Sequence, residues 1–405
     1  MIDKKLNIIE LFAGVGGLLD GFEQSKHYNL LAAVEWLKPQ CNTLIQRLRD
    51  KYKFSDASQR VLNFDIQRTQ ELFNGWNDDK EFGSNKGLDA IVNGRNVDVI
   101  SGGPPCQAYS LAGRIRDANG MRDDYRNFLF ESYIRVVKHY RPRIIVFENV
   151  EGMLSAAPDG ELIVNKIRRG FNQIGYEIVD DLRKYALMDL VNFGVPQHRK
   201  RVIIIGLRRD SDHVSYQDIL HDFYLNKLPK YKEDTRTLRD AIGDLPPIYL
   251  LTQPKGRQSH ENKSQINGHF SRFHSLRDQD IFYTLAKDIE DGVNKYTSTE
   301  ALKKLYKEKT GKTSNVHKYH VLRWNEPSTT IPAHLKKDGL RHIHPDPKQK
   351  RSISVREAAR IQTFDDDFLF NESMGKSFEM IGNAVPPYFA KKLGNAVYSL
   401  FNTLQ

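Results

Sequence analysis

Cysteine is nearly absent from this chain, which carries only Cys41 and Cys106 among 405 residues. Two thiols exclude a disulfide framework and are too few for a cysteine-built zinc site, so Cys106 is left free to be reactive. Long apolar runs are missing as well. No window reaches the length that crosses a bilayer, and the first residues run into a strand-like segment rather than a leader, so the expectation is a cytoplasmic protein with no membrane partner. Internal repeats and low-complexity tracts are also lacking. What is present, 39% apolar and 28% charged residues, is the composition of an ordinary folded protein long enough for two domains. Acidic residues number 51 against 61 Lys and Arg, and the net charge of +10 favours a polyanionic partner.

The stretch that organises the rest is Ser101-Gly-Gly-Pro-Pro-Cys106-Gln-Ala-Tyr-Ser110, which follows a short apolar run at residues 97–100. Its two glycines allow a sharp exit from a buried strand, and its two prolines stiffen the turn without needing amide partners. Cys106 is thereby held at a strand end as a candidate nucleophile, the plainer alternative being a proline-rich turn that carries a cysteine. Upstream, residues 7–12 read as a buried strand that turns through Phe12-Ala-Gly14-Val-Gly16-Gly17-Leu18 into an amphipathic helix to about Ser25. This is the first strand-to-helix turn of a doubly wound sheet, where free amides at the helix start meet polar or negative ligand groups. Leu19 stands where the dinucleotide fingerprint needs its last glycine, which counts against NAD and leaves other adenosine cofactors open. A second strand at 30–34 ends in Glu35, nineteen residues beyond Gly16, where this topology puts a carboxylate on ribose hydroxyls. Residues 63–66 close a third strand, and Asp65 is a candidate acceptor for an adenine amino group.

Residues 108–126 are polar, with Gly113 and Gly120 as hinges and Arg114, Arg116, Arg122 and Arg126 as charges. That composition suits a lid closing on a phosphate backbone, or an ordinary solvated loop. A helix at 128–139 leads to a strand at 143–147 ending in Glu148-Asn149-Val150. In a right-handed strand-helix-strand unit both strands run parallel, so Cys106 and Glu148 leave the sheet at the edge where open α/β sheets bind ligands. After a helix at 161–170 and a strand at 176–182, Arg199 and Arg201 stand at the entry of a strand at 202–207, and only one of them is expected to reach a substrate.

With these residues in place the chain resembles the DNA (cytosine-5) methyltransferase family of the bacterial restriction-modification type. The landmarks occur in family order: Phe12-Ala-Gly-Val-Gly-Gly17, Gly103-Pro-Pro-Cys-Gln107, Glu148-Asn-Val150, Gln197-His-Arg-Lys-Arg201, Arg356-Glu-Ala-Ala-Arg-Ile-Gln362 and Gly382-Asn-Ala-Val-Pro-Pro387. They cover roughly the first half and the last fifty residues. The resemblance implies a Rossmann-like α/β fold, a doubly wound and mostly parallel sheet that binds S-adenosylmethionine, with a second, smaller, irregular target-recognition domain. It implies that Cys106 attacks carbon 6 of a cytosine flipped out of double-stranded DNA, that Glu148 binds ring nitrogen 3 and the exocyclic amine, and that Arg199 or Arg201 holds the O2 edge. It places Phe12, Gly14, Gly16, Gly17, Leu18, Glu35, Trp36, Asp65, Ile66, Pro104, Asn383, Ala384 and Val385 around the cofactor. Gln107, Ser110, Arg114, Arg116, Arg122, Thr330 and Ile331 are the expected DNA-facing set. Amino-group methyltransferases put an aromatic residue after their Pro-Pro pair, whereas Cys106 stands there in this chain, which favours carbon over nitrogen as the acceptor.

From residue 211 to 350 the strand-helix alternation breaks down, and this segment holds 24 Lys and Arg, 18 Asp and Glu, and 10 of the 13 histidines. A basic insert of this kind reads as the DNA-facing domain. It contains helix-like stretches at 216–226 and 276–290 and a very polar run at 253–272, expected either as a segment disordered without DNA or as a base-reading loop. Pairs such as His317 with His320 and His342 with His344 invite a metal reading, but without cysteine or a spaced carboxylate they are better read as hydrogen-bonding groups, and no metal is expected. A helix at 354–362 capped by Ser354 should brace the two domains, although Phe364-Asp365 departs from the proline the family has after its aromatic residue. The expected division is a catalytic and cofactor-binding domain at 1–207 completed by 376–405, a target-recognition domain at 208–350, and a hinge with its bracing helix at 351–375. The expected protein is monomeric and nucleoid-associated, and its activity is the modification half of a restriction-modification system with a cognate endonuclease. An RNA cytosine methyltransferase and a catalytically silent DNA-binding protein are the rival readings.

Overall fold

The computed structural model describes residues 5–105, 129–158, 160–210, 215–261, 263–313 and 319–404. Its strands are β1 (Leu6–Leu11), β2 (Tyr28–Glu35), β3 (Val61–Asn63), β4 (Trp76–Asp79), β5 (Gly83–Asn85), β6 (Val99–Gly102), β7 (Ile144–Val150), β8 (Tyr176–Ile178), β9 (Leu187–Asp189), β10 (Lys200–Arg208), β11 (Leu250–Lys255) and β12 (Gln258–His260). The main sheet has the order β3-β2-β1-β6-β7-β10-β8, with β9 also paired to β10. From β3 to β7 the neighbours run parallel, and β10 runs antiparallel to β7, β8 and β9. The doubly wound, mostly parallel sheet expected from the sequence is therefore present. Its apolar runs are buried nearly without interruption, as a sheet covered on both faces requires: Ile8, Ile9, Leu11 and Ile203, Ile204 and Ile205 are all 0% exposed.

Several boundaries differ from the sequence expectation. β7 does end in Glu148, Asn149 and Val150, as expected, and β10 pairs with them: Ile203 faces Glu148 and Arg201 faces Val150. Asp65 and Ile66 follow β3 instead of closing it, and β8 stops at Ile178. A hairpin of β4 and β5, which no sequence feature announced, is stacked through Trp76 on Phe64 at a centroid distance of 3.8 Å.

The chain divides into two compact units, one of Met1–Phe193, Lys200–Glu233 and Val385–Gln405, the other of Gly194–Arg199 and Asp234–Ala384. In the first unit the last helix, Pro387–Thr403, lies against the first, Gly17–Ser25. A Cβ at Gly21 would sit 2.3 Å from Ala390 Cβ and 2.5 Å from the Pro387 carbonyl oxygen, so only glycine permits this approach. Tyr28 reinforces it by donating its hydroxyl to the Gly394 carbonyl at 2.7 Å. The sheet unit is thus completed by the end of the chain.

The second unit is held by polar groups turned inward. The helices Leu276–Glu290 and Thr299–Thr310 pack around Ile281, Phe282, Leu285 and Leu305 with Val321 and Ile343. Beside them the polar run that begins at 253 holds most of the β11–β12 hairpin up to residue 260, and its histidines are buried on backbone carbonyls. His260 Nε2 lies 2.8 Å from the Gln349 oxygen, and His269 Nε2 lies 2.7 Å from that of Pro246. Next to them Arg351 and Glu357 form an ion pair with both side chains 1% exposed. Burial opposes the charge on Glu357, yet the Arg351 guanidinium outweighs it and holds its pKa well below the usual carboxylate range. Ser354 caps the helix Val355–Ile361 in a reciprocal capping box with Glu357, as the sequence suggested.

Burial pulls the pKa of His260 and His342 down to about 4 and that of His274 and His344 down to about 3. An unfolded histidine titrates near about 6.5, so below that pH the unfolded chain takes up protons the folded unit refuses. Each protected ring then removes up to about 1.4 kcal/mol of stability per pH unit. The urea midpoint is expected to be flat between about pH 7 and 8 and to fall steeply from about pH 6.5 to 5. A midpoint unchanged over that lower range would contradict the buried-histidine account.

Candidate active site

The strand ends of the first unit bring together three groups. β6 and β7 are parallel with Gly102 opposite Phe147, so the next residue on each strand, Gly103 and Glu148, meet at the same sheet edge. Glycine leaves the carboxylate its place: a Cβ on Gly103 would lie 2.6 Å from Glu148 Oε2 and displace it. On the other side of β7, Arg201 stands on the same face of β10 as Ile203 and reaches Glu148 diagonally, with Nε 2.9 Å from Oε1. Both side chains are 13% exposed, enough to meet a ligand and little enough for the charges to interact strongly. Burial lowers the Arg201 pKa, and the Glu148 charge works against that. Asn149, which sequence reasoning passed over, donates its side-chain amide to the Pro104 carbonyl at 3.4 Å and so ties the Pro-Pro turn to β7.

The glycine turn forms a second cluster in the same unit. Phe12, Gly14 and Gly16 all have positive φ, +54°, +56° and +84°, and Gly16 ends the turn at the start of the first helix. Gly14 is needed for its backbone, since a Cβ there would meet nothing within 4 Å, whereas one at Gly16 would meet Leu44 Cδ1 at 2.5 Å. The Glu35 carboxylate accepts from the Gly14 amide through Oε2 and from the Leu37 amide through Oε1, each at 2.8 Å. Burial raises its pKa against the bonds from the Leu37, Gly14 and Trp36 amides. Gly17, Leu18 and Ile66 are buried, Trp36 is 43% exposed, and Asp65 accepts from the Gln67 amide at 2.9 Å. A carboxylate so held beside a helix start and an open glycine fits the ribose of an adenosine cofactor.

Two expectations are corrected by the second unit. Arg199 is 1% exposed, and its guanidinium donates to the carbonyls of Ile331, Gly382 and Ala384 at 2.9–3.0 Å. A group so spent holds backbone together, which leaves Arg201 as the arginine at Glu148. Ile331, expected at DNA, is 0% exposed, with its amide on Gln197 Oε1, so of that pair Thr330 alone is exposed. Asn383 and Ala384 close the helix Met374–Asn383 in the second unit, and Val385 begins the last segment of the first. Cys106, Gln107, Ser110, Arg114, Arg116 and Arg122 lie outside the described residues. Among the described residues no cluster of His, Cys, Asp and Glu could hold a metal ion, and no helix is long and apolar enough to cross a membrane.

Comparison with known proteins agrees with this geometry. A family model described as C-5 cytosine-specific DNA methylase matches residues 6–399. The type II methyltransferase M.Bpa9945I of Bacillus paralicheniformis is 32% identical, with 98% of this chain and 99% of that protein aligned. M1.HphI of Haemophilus parahaemolyticus, also a type II methyltransferase, is 29% identical over 98% of this chain and 87% of its own. A solved structure of a prophage-encoded E. coli protein, described as a DNA modification methyltransferase, has the same fold, with a TM-score of 0.61 at 24% identity, 98% of this chain and 100% of that one being covered.

Gly103→Ala is expected to push Glu148 off Arg201 and lower methyl transfer by about 100-fold while the thermal midpoint moves little. Native-level transfer by that variant would show that the Gly103 contact does not position Glu148.

Proposed function

The chain belongs to the C-5 cytosine-specific DNA methylase family and is a DNA cytosine-5 methyltransferase, and from that premise we propose how its residues divide the work. The observation that carries the proposal is the Glu148–Arg201 pair at 2.9 Å, set beside Gly103 on the strand that leads to Cys106.

Carbon 5 of cytosine is a weak nucleophile. The Cys106 thiolate adds to carbon 6, forming a carbon–sulfur bond and moving the ring electrons toward carbon 5 and nitrogen 3. Glu148, taking up a proton from water as the base is seated, passes it to nitrogen 3 as charge builds there and accepts from the exocyclic amine, while Arg201 holds the O2 edge. S-adenosylmethionine, when bound, would supply an electrophilic methyl group to carbon 5, its sulfonium S–CH3 bond breaking to leave the neutral thioether S-adenosylhomocysteine. Loss of the carbon 5 proton then returns electrons to the ring, nitrogen 3 gives back its proton, and the thiolate leaves. Glu35 holds the cofactor's ribose hydroxyls, Asp65 its adenine amine, and the amides of the turn at Gly14 and Gly16 its polar tail, with Phe12, Gly17, Leu18, Trp36, Ile66, Pro104 and Val385 around it. Arg199 is a positioning residue rather than a catalytic one.

The target base must leave the duplex to reach this edge, at a cost of a few kcal/mol offset by phosphate and groove contacts. We assign those contacts to the second unit, with Thr330 exposed, and to Gln107, Ser110, Arg114, Arg116 and Arg122. The relatives named above are type II methyltransferases, so this chain is proposed to act, as a monomer, on the site cut by a cognate endonuclease. No observation favours the RNA-acting or catalytically silent readings.

Labelled methyl transfer from S-adenosylmethionine to unmethylated plasmid tests the assignment. The native chain is expected to place label in 5-methylcytosine, Cys106→Ser none, and Glu148→Gln at least about 100-fold less. Equal label from native and Cys106→Ser would remove the nucleophile from its role. Glu35→Gln is expected to weaken equilibrium binding of S-adenosylmethionine by about 10-fold to 100-fold, read by calorimetry, because hydrogen bonds to a charged acceptor are lost. Unchanged affinity would take Glu35 out of the cofactor site.

A further inference from the structure

The exposed pair Thr329–Thr330 sits on backbone in which every carbonyl from Ser328 to Ile331 has a donor. The His198 amide takes the Ser328 carbonyl at 2.9 Å, the Ser328 hydroxyl takes that of Thr329 at 2.9 Å, and Arg199 takes that of Ile331 at 3.0 Å. Amides are held as well, Ser328 on the Pro196 carbonyl at 2.9 Å and Ile331 on Gln197 Oε1 at 3.0 Å. The Thr330 carbonyl is taken by His342 Nε2 at 3.2 Å, and the same nitrogen lies 3.3 Å from the Thr329 hydroxyl.

His342 is built for this task alone. Its backbone is fixed on both sides, its amide on the Gly339 carbonyl at 2.9 Å and its carbonyl on the Ile353 amide at 3.0 Å. The ring is 2% exposed, and among the described residues Nδ1 has no hydrogen-bond partner. A carbonyl can only accept, so Nε2 carries the proton and Nδ1 the lone pair, and burial keeps the ring neutral in that single tautomer. Four contiguous residues with every carbonyl satisfied form a rigid edge, and among the described residues the histidine supplies the bond to those carbonyls that comes from outside the Pro196–Arg199 segment and the edge itself.

We propose that His342 is a positioning residue for target recognition: its Nε2–H fixes the Thr330 carbonyl and the Thr329 hydroxyl, and so sets the surface those threonines present to DNA without touching DNA itself. This rests on the reading of the second unit as the DNA-facing one. Discrimination between bases depends on groups held to within a fraction of an ångström, and a loosened edge loses preference before it loses chemistry.

The test uses full-length native protein, His342→Met and His342→Ala, which lack the donor, and His342→Gln, whose amide nitrogen reaches the same point. Each methylates a mixed DNA fragment library in which every cytosine is scored by base conversion, and KM for the target duplex and kcat are measured separately. The donor-lacking variants are expected to lose at least about fivefold of the preference for the target over its single-mismatch neighbours, with a raised KM and kcat within about twofold. His342→Gln is expected to restore both preference and KM. Either donor-lacking variant, folded by circular dichroism, with native preference and KM would overturn the proposal, as would a His342→Gln no better than His342→Met. A native protein that methylates no cytosine in the library overturns the activity reading instead.

Discussion

The parallel pairing of β6 with β7 is the constraint on which the site depends. It sets Gly102 opposite Phe147, and one residue further on a side chain at Gly103 would take the place of the Glu148 carboxylate end. Glu148 occupies that space, and the antiparallel return of β10 brings Arg201 to its other side. Removing one member of such a partly buried pair leaves the other charge uncompensated, which costs more than the pair itself contributes. The carboxylate, the guanidinium and the turn toward Cys106 therefore stand or fall as a set, and Asn149 on Pro104 fastens the turn to the same strand.

The rest of the first unit keeps that edge in place. Close packing of the last helix on the first, allowed by Gly21, closes the sheet with the end of the chain. The glycine turn between β1 and the first helix spends three positive-φ residues to expose amides, and Glu35 at the end of β2 is oriented by two of the amides around it. In the second unit buried polar groups join the apolar core: histidines and arginines are buried on carbonyls and on Glu357 beside the cluster around Ile281, Phe282 and Leu285, so a polar sequence folds into a specific shape.

How much of this was legible in the sequence follows from what each signal measures. Apolar runs with glycine turns located the strands and the cofactor turn, because burial on both faces leaves a run that can be read directly. Convergence of Glu148 with the Cys106 strand followed from the handedness of the crossover. The roles of Arg199 and Arg201 could not be separated, since two arginines two positions apart look alike until the carbonyls of Ile331, Gly382 and Ala384 are placed around one of them. Ile331 was misplaced for the same reason: adjacency to an exposed threonine says nothing about which side chain turns inward. The run at 253–272 read as a disordered segment or a base-reading loop because hydropathy counts a histidine as polar whether it faces water or a buried carbonyl. The cap at Ser354 was legible because it is local, and the β4–β5 hairpin was not because its strands are short and mostly polar, with Trp76 carrying the stack on Phe64.

The covalent role of Cys106 beside Glu148 is the centre of the account, and trapping tests it most directly. Duplex DNA whose target cytosine carries fluorine at carbon 5 has no proton there to lose, so after methyl transfer the thioether at carbon 6 cannot collapse. Incubated with S-adenosylmethionine, the native protein is predicted to form a denaturant-stable, one-to-one complex with this DNA, and Cys106→Ser to form none. A native protein that methylates ordinary cytosine yet gives no stable complex with the fluorinated duplex, or a Cys106→Ser protein that gives one, would contradict the mechanism.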